Sequence, residues 1–227
     1  MTESGSPGRV EKCPVSRLTP TDDRLSGLIH ALGALLAAVG TTAMLFHPPP
    51  LAGPRHLAGA AVFGATMILL YVASACYHYT RDLERKKKLQ VVDHIAIYFL
   101  IAGTYTPVTL VPLYGWHGWS ILGAVWTMTG LGTAFKLFST GRFVLTSTIF
   151  YVLMGWFITI AIIPLSRALP LEGMIWLIAG GACYTLGALI YLWDERLPFS
   201  HPLFHLFVLA GSACHFLLVY QVVLFMA

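Results

Sequence analysis

Apolar residues run through this chain in long blocks, and each block ends at a short polar, proline-rich or charged stretch. A helix that crosses a bilayer needs roughly 20 apolar residues, and the blocks have that length. Residues 25–46 form the first expected span, closed by "HPPPLAGPRH", because proline cannot continue a helix. Residues 57–79 form the second, followed by the charged loop "TRDLERKKK". No charged side chain occurs from His94 to Phe135, which is too long for one crossing. The stretch "TPVTLVPLYGWHGW" divides it, with Pro107, Pro112 and Gly115 marking a turn between spans at 89–111 and 116–137. Residues 143–165, 173–193 and 204–226 complete the set. The pattern predicts an all-α membrane protein, a seven-transmembrane helix bundle.

Composition supports this reading. Of the 227 residues 57% are hydrophobic and 11% charged, where a soluble domain carries about 25% charged residues. The net charge of +4 is small and spread out, so no nucleic-acid partner is expected. Cys13, Cys76, Cys183 and Cys214 form no CxxC pair. They read as small buried hydrophobes rather than a disulfide framework or a cysteine zinc site. No internal repeat or low-complexity segment is visible.

Charge also orients the chain. Twelve Lys and Arg residues fall on one side of the bundle: Arg9, Lys12, Arg17, Arg24, Arg81, Arg85, Lys86, Lys87, Lys88, Lys136, Arg142 and Arg196. Arg55 and Arg167 fall on the other. Positive residues stay inside, so the expectation is a multi-pass protein of the cell membrane with a cytoplasmic N-terminus and an extracytoplasmic C-terminus. Residues 1–23 are polar, with Pro7, Pro14 and Pro20, and lack the apolar core of a signal peptide. They read as a flexible cytoplasmic tail, and 24–227 as the transmembrane domain. The basic "RKKK" reads as a topology signal rather than a lipid-headgroup site.

Ionisable residues within spans are functional candidates by default. His78 lies at the cytoplasmic end of the second span, and Ser74 one turn deeper on the same face. Asp93 lies about one turn into the third span. His201 and His205 stand four apart at the cytoplasmic start of the seventh. Three helices thus bring Ser74, His78, Asp93, His201 and His205 to one membrane depth. Three histidines with one open position suit a catalytic zinc, with Asp93 placed to hydrogen-bond the water or orient a histidine and Ser74 to hold the water or an incoming carbonyl oxygen. Two interfacial histidines without a metal would give the same HxxxH pair. Asp93 could also cap its helix or pair with the basic loop, and Ser74 could serve packing. His215, ten residues beyond His205, lies about 15 Å further along a helix and cannot share its metal. It reads as a buried polar residue bonded to a neighbouring helix. His94 points about 100° away from Asp93, and His47, His56 and His117 lie at the opposite side.

The stretches "SACYHYT", "VVDHIAIYFLIAGTYTPV" and "HPLFHLFVLAGSACHF" closely resemble the hemolysin III family, the bacterial-type progestin and adiponectin receptor family. The resemblance runs from about residue 25 to the end. It implies a seven-helix bundle with a buried zinc near the cytoplasmic side, held by His78, His201 and His205. Asp93 and Ser74 take supporting, water-holding roles in that pattern, which the family shares with alkaline ceramidases. One departure stands out. Bacterial members tend to open the first span with an acid, then Asn, then His. Here "TPTDDRLSGLIHALG" keeps Asp22, Asp23 and His30 but has Ser26 where the Asn would be, so His30 is left unassigned between a structural and a cavity-lining role.

Two classes of function follow. One is a zinc-dependent hydrolase of lipid amides or esters, with a membrane lipid as substrate and Asp93 handling the proton. The other is a non-enzymatic membrane protein (pore former, receptor or regulator of membrane lipid composition) with a structural zinc. A pore would usually show a ring of charge along several helices, and a transporter paired discontinuous helices; the sequence shows neither. Oligomeric state is not legible.

Overall fold

The computed structural model describes residues 18–139, 143–193 and 199–226. Among them are seven helices long and apolar enough to cross a membrane, and no strand. They run Pro20–Phe46, Pro54–Tyr79, Leu83–Leu110, Trp116–Phe138, Val144–Ala168, Leu171–Leu192 and Ser200–Phe225. They are called the first to seventh spans. The expected tail falls mostly outside the described residues, as do Arg9, Lys12, Cys13, Arg17, Arg142 and Arg196.

The first span opens at Pro20, five residues before the expected start. Its cap explains the difference. Thr19 Oγ1 accepts the Asp22 N–H at 3.1 Å, Pro20 stands where its missing N–H costs nothing, and Asp22 and Asp23 occupy the positive end of the helix dipole. Asp23, expected in the tail, is therefore helical.

The third span is also longer than expected. Asp82 caps it by accepting the Arg85 N–H at 2.9 Å, so most of the stretch read as a loop is helix from Leu83. That turns Lys86 inward, where it is buried. Pro107 lies inside the helix rather than at its end. It sits on Gly59 of the second span, where an added Cβ would stand 2.7 Å from the Pro107 Cα. The missing side chain lets two backbones touch, as small residues do between membrane helices.

The fifth span is interrupted by a 3-10 stretch at Phe157–Ala161. Pro164 removes the N–H that would bond Ile160 and crowds that carbonyl. The Tyr105 hydroxyl of the third span fills the break. It lies 2.8 Å from the Met154 carbonyl and 2.7 Å from that of Gly155, and it accepts the Ile158 N–H at 2.8 Å.

At one end of the bundle His56 ties the second span to the chain's last turn. Its Nδ1 accepts the Gly53 N–H at 3.1 Å, so its Nε2 carries the hydrogen donated to the Met226 carbonyl at 3.0 Å. The second and third spans are the most enclosed, and they carry Ser74, His78 and Asp93 toward the other end of the bundle. Cys76 faces outward and is exposed, against the buried expectation, because Ser74, Tyr77 and His78 occupy the inner face of that turn.

Candidate metal centre

His78 closes the second span, one turn beyond Ser74, and both are buried. His201 and His205 lie in the first two turns of the seventh, after Phe199 takes a left-handed conformation at φ 59°. The turn before that helix thus sets the direction from which both histidines enter.

The three histidines converge. One ring nitrogen from each of His78, His201 and His205 lies within 4.8 Å of the others, so the group could hold a metal ion. His78 Nε2 stands 3.1 Å from His205 Nε2, and both rings are buried. Two nitrogens each about 2.0–2.1 Å from one tetrahedral ion stand roughly 3.3 Å apart. The spacing therefore suits an ion between them. Their opposite faces hold the rings. His78 Nδ1 lies 2.9 Å from Asp23 Oδ1, an acceptor, so Nδ1 carries the hydrogen and Nε2 turns its lone pair to the cluster. His205 Nδ1 lies 2.7 Å from His30 Nε2. Asp23 also accepts the Lys86 ammonium through Oδ2.

The Ser74 hydroxyl is fully buried and has no partner at ordinary hydrogen-bond length and angle. A buried hydroxyl left open costs free energy unless something binds it. Asp93, also buried, is the side-chain partner nearest at hand for the Ser74 hydroxyl and faces the His201 ring as well. It lies ten residues into its helix rather than about one turn, because the third span starts early.

The remaining histidines are elsewhere. His215 Nε2 donates to the Leu177 carbonyl at 3.2 Å, as expected of a residue bonded to a neighbouring helix. His94 is outside the histidine group. Two members of the site's surroundings were not assigned from the sequence, Asp23 and Lys86, and His30 was left open. The signal available was the acid and histidine seven residues apart in the first span, which places them on one helix face. A groove of about 190 Å³ between the fifth and sixth spans is lined by residues such as Ile149, Val152, Leu189 and Leu192, none of them ionisable.

Seven spans with a three-histidine group at one end, His78 and His205 buried and His201 partly so, define a multi-pass membrane protein with a candidate metal centre. The chain belongs to the haemolysin-III related family, whose family model matches residues 18–216. It is 40% identical over 194 residues to Hemolysin-3 of Bacillus cereus, covering 86% of this chain and 88% of that protein. It is 37% identical over 201 residues to a Hemolysin-3 homolog of Bacillus subtilis (strain 168), covering 88% and 94%. The human monocyte to macrophage differentiation factor, of the progestin and adiponectin receptor type, is 27% identical over 171 residues, covering 70% and 68%. No solved structure matches.

Proposed function

We propose that the chain is a zinc-dependent hydrolase of lipid amides or esters, with its site at the cytoplasmic side of the cell membrane. The observation that carries this reading is the convergence of His78, His201 and His205 at the end of the bundle that also holds the buried Ser74 and Asp93. The three imidazoles would hold the zinc. The ion's chemistry is Lewis-acid activation of a carbonyl and of water near neutral pH. Ser74 donates its hydroxyl hydrogen to the scissile carbonyl oxygen or to the attacking water. Asp93 takes the proton from that water and returns it to the leaving amine or alcohol. Hydrolysis breaks the acyl C–N or C–O bond and gives a fatty acid and an amine or alcohol. A lipid reaches the buried site sideways between helices, so a membrane amide of the ceramide type suits it.

One observation favours a second reading. The histidines join the second span to the seventh, so a metal there would also staple two helices. With relatives named for haemolysis, a non-enzymatic membrane protein with a structural zinc is the alternative. Turnover separates the two. Zinc-loaded protein in detergent should hydrolyse a short-chain fluorescent ceramide or ester, and Asp93→Asn should not. Zinc-loaded, folded protein inert on amides and esters alike would leave the structural reading.

A further inference from the structure

The first span is peripheral, with most of its residues turned outward. Its buried stripe is narrow: Ser26, Gly27, His30, Gly33, Ala37 and Met44. A lipid-facing helix is expected to bury apolar or small residues, because ionisable groups in a membrane are costly. Here the stripe begins instead with Asp23, Ser26 and His30, and Asp23 and His30 contact two of the three candidate metal-binding histidines. The Asp23 carboxylate takes the His78 Nδ1 hydrogen at 2.9 Å and the Lys86 ammonium on its other oxygen. His30 Nε2 faces His205 Nδ1 at 2.7 Å, with the rings edge-to-face and their centroids 3.9 Å apart. Gly27 lets the helix come this close, since a Cβ there would meet the Tyr79 ring at 3.2 Å and the His78 Cβ at 3.3 Å.

These contacts have a chemical consequence. A histidine that binds through Nε2 must carry its hydrogen on Nδ1. Asp23 offers an acceptor to that nitrogen of His78, and His30 offers one to that of His205 in the tautomer that carries its own hydrogen on the buried Nδ1. Lys86 fixes the carboxylate, and Tyr71 packs edge-on against His30 with centroids 5.0 Å apart.

We infer that the first span is the positioning element of the metal centre, with Asp23 and His30 holding His78 and His205 in the orientation and tautomer that present both Nε2 atoms to one ion. The inference rests on the proposed metal centre and adds two residues that do not themselves touch the ion. Partners of this kind typically contribute about 10–100-fold in metal affinity.

The test is zinc affinity of the full-length chain in detergent, measured by competition with a chelator. Asp23→Ala and His30→Leu should each weaken zinc by about 10–100-fold. Asp23→Asn and His30→Gln restore an acceptor and should recover part of the loss. Met44→Ala opens a cavity on the same stripe far from the site and should leave affinity unchanged. Cobalt(II) loaded in place of zinc should show altered visible bands in Asp23→Ala and His30→Leu but not in Met44→Ala. Unchanged affinity and bands in both variants, beside a wild type that binds zinc, would overturn the inference and spare the metal centre. Equal loss in Met44→Ala would overturn it as well, by showing a general loosening. A folded wild type that binds no zinc would overturn both.

Discussion

Lys86 pairs with Asp23 across 63 positions of sequence, joining the third span to the first beneath His78. The lysine side chain is 7% exposed and the aspartate 21%. Removing one partner of a buried pair leaves the other charge uncompensated, at about 3–5 kcal/mol in full burial. Partial exposure of Asp23 reduces this to roughly 1–3 kcal/mol. Lys86→Met should therefore lower thermal stability in detergent clearly. Lys87→Met, which loses an exposed partner in Glu84, should change it by less than about 1 kcal/mol. Equal effects would mean that the Asp23 pair contributes no more than a surface one.

The Tyr105 hydroxyl serves the broken ladder of the fifth span. Tyr105→Phe keeps the ring and leaves the Ile158 N–H and two carbonyls short of a partner, at about 1–3 kcal/mol. Tyr114→Phe, at an exposed ring that keeps its contact with Arg55, should fall within about 0.5 kcal/mol of the parent. Thermal unfolding of the two variants side by side checks the difference.

If the proposed hydrolase reading holds, variants at Asp93 and Ser74 separate metal holding from turnover. Asp93→Asn should keep most of the zinc and lose hydrolysis by about 10²–10⁴-fold, the usual contribution of a general base. Ser74→Ala should also keep zinc and reduce the rate. Full activity in Asp93→Asn would remove that carboxylate from the chemistry. Loss of zinc in the same variant would make it a holder of the ion.

Topology is tested by labelling. In a cysteine-free background, cysteine at exposed Arg85 should be blocked from a membrane-impermeant reagent in whole cells, and cysteine at exposed Leu51 should react. The opposite pattern would invert the bundle and place the histidine end outside.

The seven spans were legible because each is an apolar block bounded by proline or charge, a pattern that needs no tertiary knowledge. The histidine group was legible for a related reason. His201 and His205 share a helix face by spacing, and the alternation of spans brings His78 to the same end. Asp23 is legible as an acid that opens the first span but not as a partner of His78, because the polar start of that span reads as tail until Thr19 and Pro20 are recognised as its cap. Lys86 sits in a basic run that reads as a loop signal, and only the pairing with Asp23 shows that one of its cations turns inward. His30 needed its contact with His205, which is a matter of helix packing rather than of spacing.

The most direct measurement is elemental analysis of the purified, folded protein beside His78→Ala and His205→Ala. About one zinc per chain in the wild type, reduced in both variants while they remain membrane-inserted, is the predicted result. No zinc in a folded wild type, or an undiminished content in both variants, would contradict the metal centre on which the account rests.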